Sequence, residues 1–160
     1  NRKPVRSSYN NAHAYLSAPY GIYKTKDSFI AIAMTPVPGL GELLGLKSII
    51  DFTDQKEWFT KRDEIKRLIG DWLINETTQH WLGILQPADI WCAEVLEWDK
   101  MIENEGFKVL DMFQRIKRSD GLDIETLRCP IRINNEIFKS NIAAPRVGQH
   151  TDEIIKEYAL

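Results

Sequence analysis

The side chains able to do chemistry in this sequence are three histidines, two cysteines and a scatter of carboxylates, and their spacing argues against most of that chemistry. His13, His80 and His150 form no HxH or HxxxH pair and have no cysteine nearby, so no metal site is expected. His80 stands beside Trp81 in an amphipathic stretch and reads as structural. His150 lies at a helix entry, before Thr151 as the expected N-cap, with Asp152 and Glu153 in the positive first turn. Its simplest role is a fixed turn; acid–base work or a phosphate contact is the alternative. Cys129 alternates with isoleucines and is expected to be buried and inert, and Cys92 follows Trp91 in a turn-like segment. Asp89 is the one acid flanked by apolar residues, where burial would raise its pKa; a turn Asp bonding its own backbone is the plainer reading. Gly39-Leu40-Gly41 with Gly45 misses the dinucleotide fingerprint and has no following Lys-Ser/Thr. Tryptophans 58, 72 and 81 fall at helical spacing and are expected in the core. These residues make no self-contained catalytic constellation.

The elements that would position them are short. Tyr20–Tyr23 and Phe29–Met34 are aromatic and β-branched, with turn residues between them, and predict a β-hairpin. The second strand is apolar on both faces and is expected to be central and covered on both sides. Pro36, Pro38, Gly39 and Gly41 break it, and a short helix is expected around Glu42–Leu46. Asp54 precedes Glu57 by three, an N-cap arrangement. Trp58, Ile65 and Trp72 then repeat at seven with Leu68, Ile69 and Leu73 in the stripe, while Lys61, Asp63, Glu64, Lys66 and Arg67 lie elsewhere on the wheel. A second helix starts at Thr77 or Thr78 and ends before Pro87. A third is expected over Glu97–Glu105, closed by Gly106. Strands are expected over Val109–Ile116 and around Cys129–Ile133, the latter with one wet face and an edge position set by Pro130. The order implies an α+β fold, a small antiparallel sheet with packed helices, plus a C-terminal arm and helix.

With 43% hydrophobic and 28% charged residues and a net charge of −2, the composition is that of a globular protein without a basic patch for nucleic acid. The longest apolar run is too short to span a bilayer, no signal peptide is visible, and two cysteines form no disulfide framework. A reducing, cytoplasmic setting is the expectation, with no membrane partner.

Several segments, in order, resemble the family III CoA-transferases, which include formyl-CoA transferase and the racemase of 2-methyl-branched acyl-CoAs. The most specific is Pro145-Arg146-Val147-Gly148-Gln149-His150-Thr151-Asp152-Glu153-Ile154-Ile155, similar to the family's P-x-x-GxHTxE-I/V. Ala18–Asp27, with Tyr20, Gly21 and Asp27, resembles its PYG-x-Y-x-T-x-D strand and turn. Glu42–Leu46 resembles the short helix ending in LG, Thr77–Leu85 a helix carrying EW, Pro87–Leu96 a loop near the acyl-CoA, and Cys129-Pro130-Ile131-Arg132 the P-x-R/K strand.

The resemblance implies a C-terminal part of an acyl-CoA:carboxylate CoA-transferase. Residues 1–17 would be a lead-in, 18–139 the small α+β domain, and 140–160 a return linker and helix joining a Rossmann-like large domain. The family's subunits interlock as a homodimer. A carboxylate attacks the thioester, and CoA and acyl groups exchange through enzyme-bound anhydride and thioester species. That nucleophilic Asp belongs to the N-terminal half, so no catalytic residue and no metal site is expected here. No permanently bound cofactor is implied; a coenzyme A thioester would be substrate and a carboxylic acid its partner. The family's glycine-rich substrate loop would fall at Tyr9, Asn10, Asn11 and Ala12. The racemase branch carries a Glu where this chain has Met34-Thr35-Pro36, which favours transfer over racemisation. This chain alone is expected to be inactive, its arm (residues 141–160) projecting or pairing with a second copy. A stand-alone, non-enzymatic α+β binding module and an acyl-CoA racemase are the alternatives.

Overall fold

The computed structural model describes residues 5–10 and 13–159. It divides into two compact units, Asn1–Leu96 and Glu97–Leu160, and the boundary falls inside the segment read as one small domain.

Unit 1 is built on the expected hairpin. Strand β1 (Gly21–Lys24) pairs antiparallel with β2 (Phe29–Ile32), Gly21 opposite Ile32. A third strand, β3 (Cys92–Glu94), pairs with the other edge of β2, so β2 is central. Cys92 is thus in a strand rather than a turn. Alternation along β2 sends Ile30 and Ile32 into the core and leaves Phe29 on the outer face, 44% exposed. Within this unit β2 is therefore covered on one face, not both: the helices pack on the Ile30/Ile32 side.

Helix α1 (Val37–Leu44) begins earlier than the Glu42–Leu46 reading. Pro38 sits within its first turn, where a missing N–H costs nothing, and left-handed Gly45 closes it. Gly41 is a packing requirement, since a Cβ there would meet Ile49 Cγ1 at 2.8 Å. Asp54 caps α2 (Gln55–Thr60) by accepting from Lys56 N at 2.9 Å. The helix expected to run on is interrupted at Lys61 and resumes as α3 (Arg62–Leu73). Ile65, Ile69 and Leu73 line the core as the stripe requires, and so do Arg62 and Lys66. The expectation for Trp72 fails: it is 38% exposed, its indole donating to Leu44 O at 2.8 Å. Thr77 caps α4 (Thr78–Leu85), and Trp81 is buried with its indole donating to Leu73 O at 2.8 Å.

Unit 2 departs further from the sequence reading. The helix expected over Glu97–Glu105 is two helices, α5 (Trp98–Glu103) and α6 (Glu105–Leu110). Asn104 accepts from Gly106 N at 2.9 Å and starts α6, so Gly106 opens a helix instead of closing one. Asp111, left-handed at φ 46°, ends it. The strand expected from Val109 begins only at β4 (Phe113–Lys117), which pairs with β5 (Asp123–Leu127), Phe113 opposite Leu127. Around Cys129, only β6 (Arg132–Ile133) is strand. It pairs with β7 (Glu136–Ile137) across Asn134 and Asn135, both at positive φ as a tight hairpin turn demands. Cys129 is exposed, not buried. Helix α7 (Thr151–Tyr158) follows the arm, with His150 rather than Thr151 at the N-cap. No helix among the described residues is long and apolar enough to cross a membrane.

Among the described residues, the buried apolar side chains of the core belong to unit 1, from Ala18 to Leu85. Among the described residues of unit 2 the one buried side chain is Arg128. It donates from Nε to Asp111 O at 2.6 Å, from Nη1 to Cys129 O at 2.6 Å and from Nη2 to Leu110 O. A guanidinium thus caps the C-terminus of α6, where carbonyls are left without helical partners.

Candidate functional site

Three constructions in unit 1 hold polar or apolar groups in fixed geometry. The first is an apolar trough at the end of the sheet where β1 begins and β2 ends. Tyr20, Gly21 and Ile22 line it at the start of β1, Ala31, Ile32 and Ala33 at the end of β2, and Trp91, Cys92 and Ala93 at the start of β3, around a volume of about 480 Å³. The hairpin fixes its floor because the even register sets Ile22 opposite Ala31. Trp91 stands at its margin, 76% exposed. Burial pushes the Cys92 thiol up, so it is a poor nucleophile and serves as an apolar lining group.

The second is a polar clamp at the hairpin turn, the opposite end of β1 and β2 from the trough. Asp27 Oδ1 accepts from Thr78 N at 2.8 Å, Thr78 Oγ1 at 3.1 Å and Thr25 Oγ1 at 3.2 Å. The hydrogen bond from the Thr78 backbone, aided by the two hydroxyls, holds the Asp27 carboxyl below its ordinary pKa. Asp27 therefore ties the hairpin turn to the start of α4. Tyr23 is buried, its hydroxyl donating to Pro19 O at 2.5 Å, and burial raises its pKa.

The third is the lead-in. Ser7 Oγ donates to Asp63 Oδ1 at 2.5 Å, while Ser8 donates to Oδ2 from N at 2.9 Å and from Oγ at 2.6 Å. Those hydroxyl bonds, led by Ser7, hold the Asp63 carboxyl down at about 2. Arg62 donates from Nη1 to Phe59 O at 2.8 Å and from Nη2 to Val5 O. Of the substrate-loop positions, Tyr9 is half-buried and its N donates to Ser7 Oγ at 3.1 Å. Burial, then the Asp71 carboxylate, raises its phenol pKa. Asn10 is exposed, and Asn11 and Ala12 lie outside the described residues.

The remaining sequence candidates prove structural or solvent-facing. His80 is exposed and packs edge-on to Trp81 with ring centroids 4.9 Å apart. His13 Nδ1 accepts from Tyr15 N at 3.1 Å. Asp89 is exposed and left-handed at φ 59°, which removes the buried-acid reading. In unit 2, left-handed Gly148 turns the arm into α7, with Thr151 N donating to its carbonyl at 3.2 Å. His150 Nδ1 lies 3.0 Å from Glu153 Oε2, a carboxylate partner one turn on. Pro130 is exposed. Among the described residues no three His, Cys, Asp or Glu are grouped to hold a metal ion.

The sequence reading missed Arg62 and Lys66 as buried residues and did not foresee Asp63 as the lead-in's anchor. Their positions carried the signal: 62, 66, 69 and 73 recur at helical spacing, so two cations stand in the apolar stripe.

The sequence matches CoA-transferase family III over residues 1–151, and the chain belongs to that family. It is 23% identical over 146 residues to cinnamoyl-CoA:phenyllactate CoA-transferase of Clostridium sporogenes, covering 84% of this chain and 35% of that protein. It is 26% identical to the alpha-methylacyl-CoA racemase of Homo sapiens, covering 87% of this chain and 36% of that one. A CAIB/BAIF family protein from Brucella suis has the same fold at a TM-score of 0.60 and 20% identity, over 92% of this chain and 39% of the other. The chain thus spans about a third of the length of these relatives.

Proposed function

We propose that this chain is part of an acyl-CoA:carboxylate CoA-transferase and supplies the apolar wall against which the acyl group of the thioester lies. The observation that carries this reading is the trough. It joins the Tyr20-Gly21 strand to Trp91-Cys92-Ala93, the two segments whose sequences resemble the family's hairpin and its loop near the acyl-CoA. An acyl chain gains from burial there at roughly 25 cal/mol per Å² of apolar surface. The nucleophilic carboxylate comes from the family's Rossmann-like half, as does most of the CoA site, and two full-length subunits interlock as a homodimer. The chain by itself lacks that carboxylate and does not turn over.

Racemisation, the activity named for the human relative, is the second reading. Against it stand Met34, Thr35 and Pro36, which hold no acid where the racemase branch carries its Glu. These residues lie beside Ser17, Ala18, Gln55 and Trp58.

Two measurements test the proposal. Titration of the chain with acyl-CoAs of rising acyl length should show affinity growing with length, and Trp91→Ala should weaken binding about tenfold, the scale of an exposed aromatic anchor. Length-independent binding would overturn the trough as the acyl wall. Exchange of labelled CoA between acyl-CoA and free acid should be absent; turnover above about 1 per second would show a nucleophile in this chain.

A further inference from the structure

Lys66 on α3 is completely buried, and its Nζ has no hydrogen-bond partner among the described residues. Arg62, one turn earlier, is also buried, and its Nε is likewise unpartnered although both Nη atoms are used. Residues four apart share a helix face, so two cationic donors that lack acceptors stand side by side. Asp63 is the nearby counter-charge to both cations, but its two oxygens accept three hydrogen bonds from Ser7 and Ser8 and none from Arg62 Nε or Lys66 Nζ. One carboxylate faces two cations there, and a buried ammonium without an acceptor costs free energy that one anionic oxygen pair would recover. Polar contacts from Ser7, Ser8 and the Val5 carbonyl tie the lead-in to α3. The Val5 carbonyl on Arg62 shows that this edge already accepts an oxygen ligand.

We propose that Arg62 Nε and Lys66 Nζ form a binding site for a small oxyanion, a carboxylate or phosphate group, in the seam between α3 and the lead-in segment Val5–Tyr9. The anion takes one oxygen to each donor. It enters where Ser7 and Ser8 part from Asp63, and it then pins the lead-in to α3. The site goes beyond the acyl trough, shares no residue with it, and stands or falls separately.

The test is thermal unfolding of the whole chain in sodium acetate and in sodium phosphate, each against sodium chloride of equal ionic strength. Saturable stabilisation of about 5 °C by at least one is expected. Acetate alone marks a carboxylate site; phosphate alone marks a phosphate site. Lys66→Met keeps the apolar stem, removes the unpaired charge and should abolish the response. Stabilisation by neither anion, or an undiminished response in the variant, overturns the proposal. Amine labelling of the unmodified protein, read by peptide mass spectrometry, needs no variant. The stabilising anion should slow labelling of Lys66 about tenfold more than that of exposed Lys61, matching a site filled to [L] of about ten times Kd. Equal slowing at both lysines overturns it.

Discussion

Unit 1 and unit 2 are each made of short helices and strands, yet they solve burial differently. In unit 1 the sheet and helices share one set of buried side chains, from Tyr23 and Ile30 through Leu40 and Ile65 to Trp81. In unit 2, Ile131, Ile133, Ile142, Val147 and Ile154 all face outward, and a single guanidinium is the buried centre. Hydrogen bonds give unit 2 its local shape, but their net worth is about 1 kcal/mol each, while apolar burial drives folding. Secondary structure without a core is shape without much stability of its own. Unit 1 therefore carries the cooperativity, and unit 2 presents apolar surface in quantity.

The contrast breaks most visibly in amide exchange. Amides of β2 and α3 should exchange at least about 100-fold more slowly than those of α7, because the former open only with the core. Equal protection across residues 62–73 and 151–158 would show that unit 2 has a core of its own. Next in size, Trp81→Ala should destabilise by about 3–5 kcal/mol in chemical denaturation, whereas Trp98→Ala, at 78% exposure, should cost under about 0.5 kcal/mol. Similar values for both would erase the difference. Within unit 2, Arg128→Met strips three carbonyls of their donor and should cost about 2 kcal/mol. That loss should be read in α6 amide exchange and leave α3 unchanged.

The smallest effect concerns pH. The Asp63 pKa lies below its unfolded value, so its contribution is fully present above pH 3.8 and is lost as pH falls through about 2. Solvent screening limits that contribution to about 1–2 kcal/mol. Asp63→Asn should flatten the acid limb of unit 1 stability across this window. Lys66 works in the opposite sense. Burial lowers its pKa, so protonation penalises the fold and stability rises with pH up to the unfolded value of 10.5.

What the sequence made legible follows the same division. The hairpin, the Thr77 cap and the Ile65–Ile69–Leu73 stripe were readable because a core enforces period and face together. Phe29 was misjudged because an apolar run does not say which of its faces a partner covers. In unit 2 no core enforces a period, so Val109 and Leu110 read as strand although they end a helix that Asn104 starts. The Asn134-Asn135 pair was a readable turn signal that the alternation around Cys129 obscured. The lead-in was readable as an irregular polar segment, but its anchor on α3 was not, since nothing in a linear sequence shows Ser7 meeting Asp63 across 56 residues.

The Asp27 clamp also has a kinetic side. It joins residues 51 apart, so the chain must close a long loop before this carboxylate meets Thr78. Contacts of that span are expensive in entropy until the intervening helices are in place. Asp27 should thus be satisfied after the folding barrier is crossed, and its removal should hasten unfolding while leaving the refolding rate nearly untouched. The motif aspartate of the hairpin turn would then set how long the native sheet survives rather than how quickly it is found.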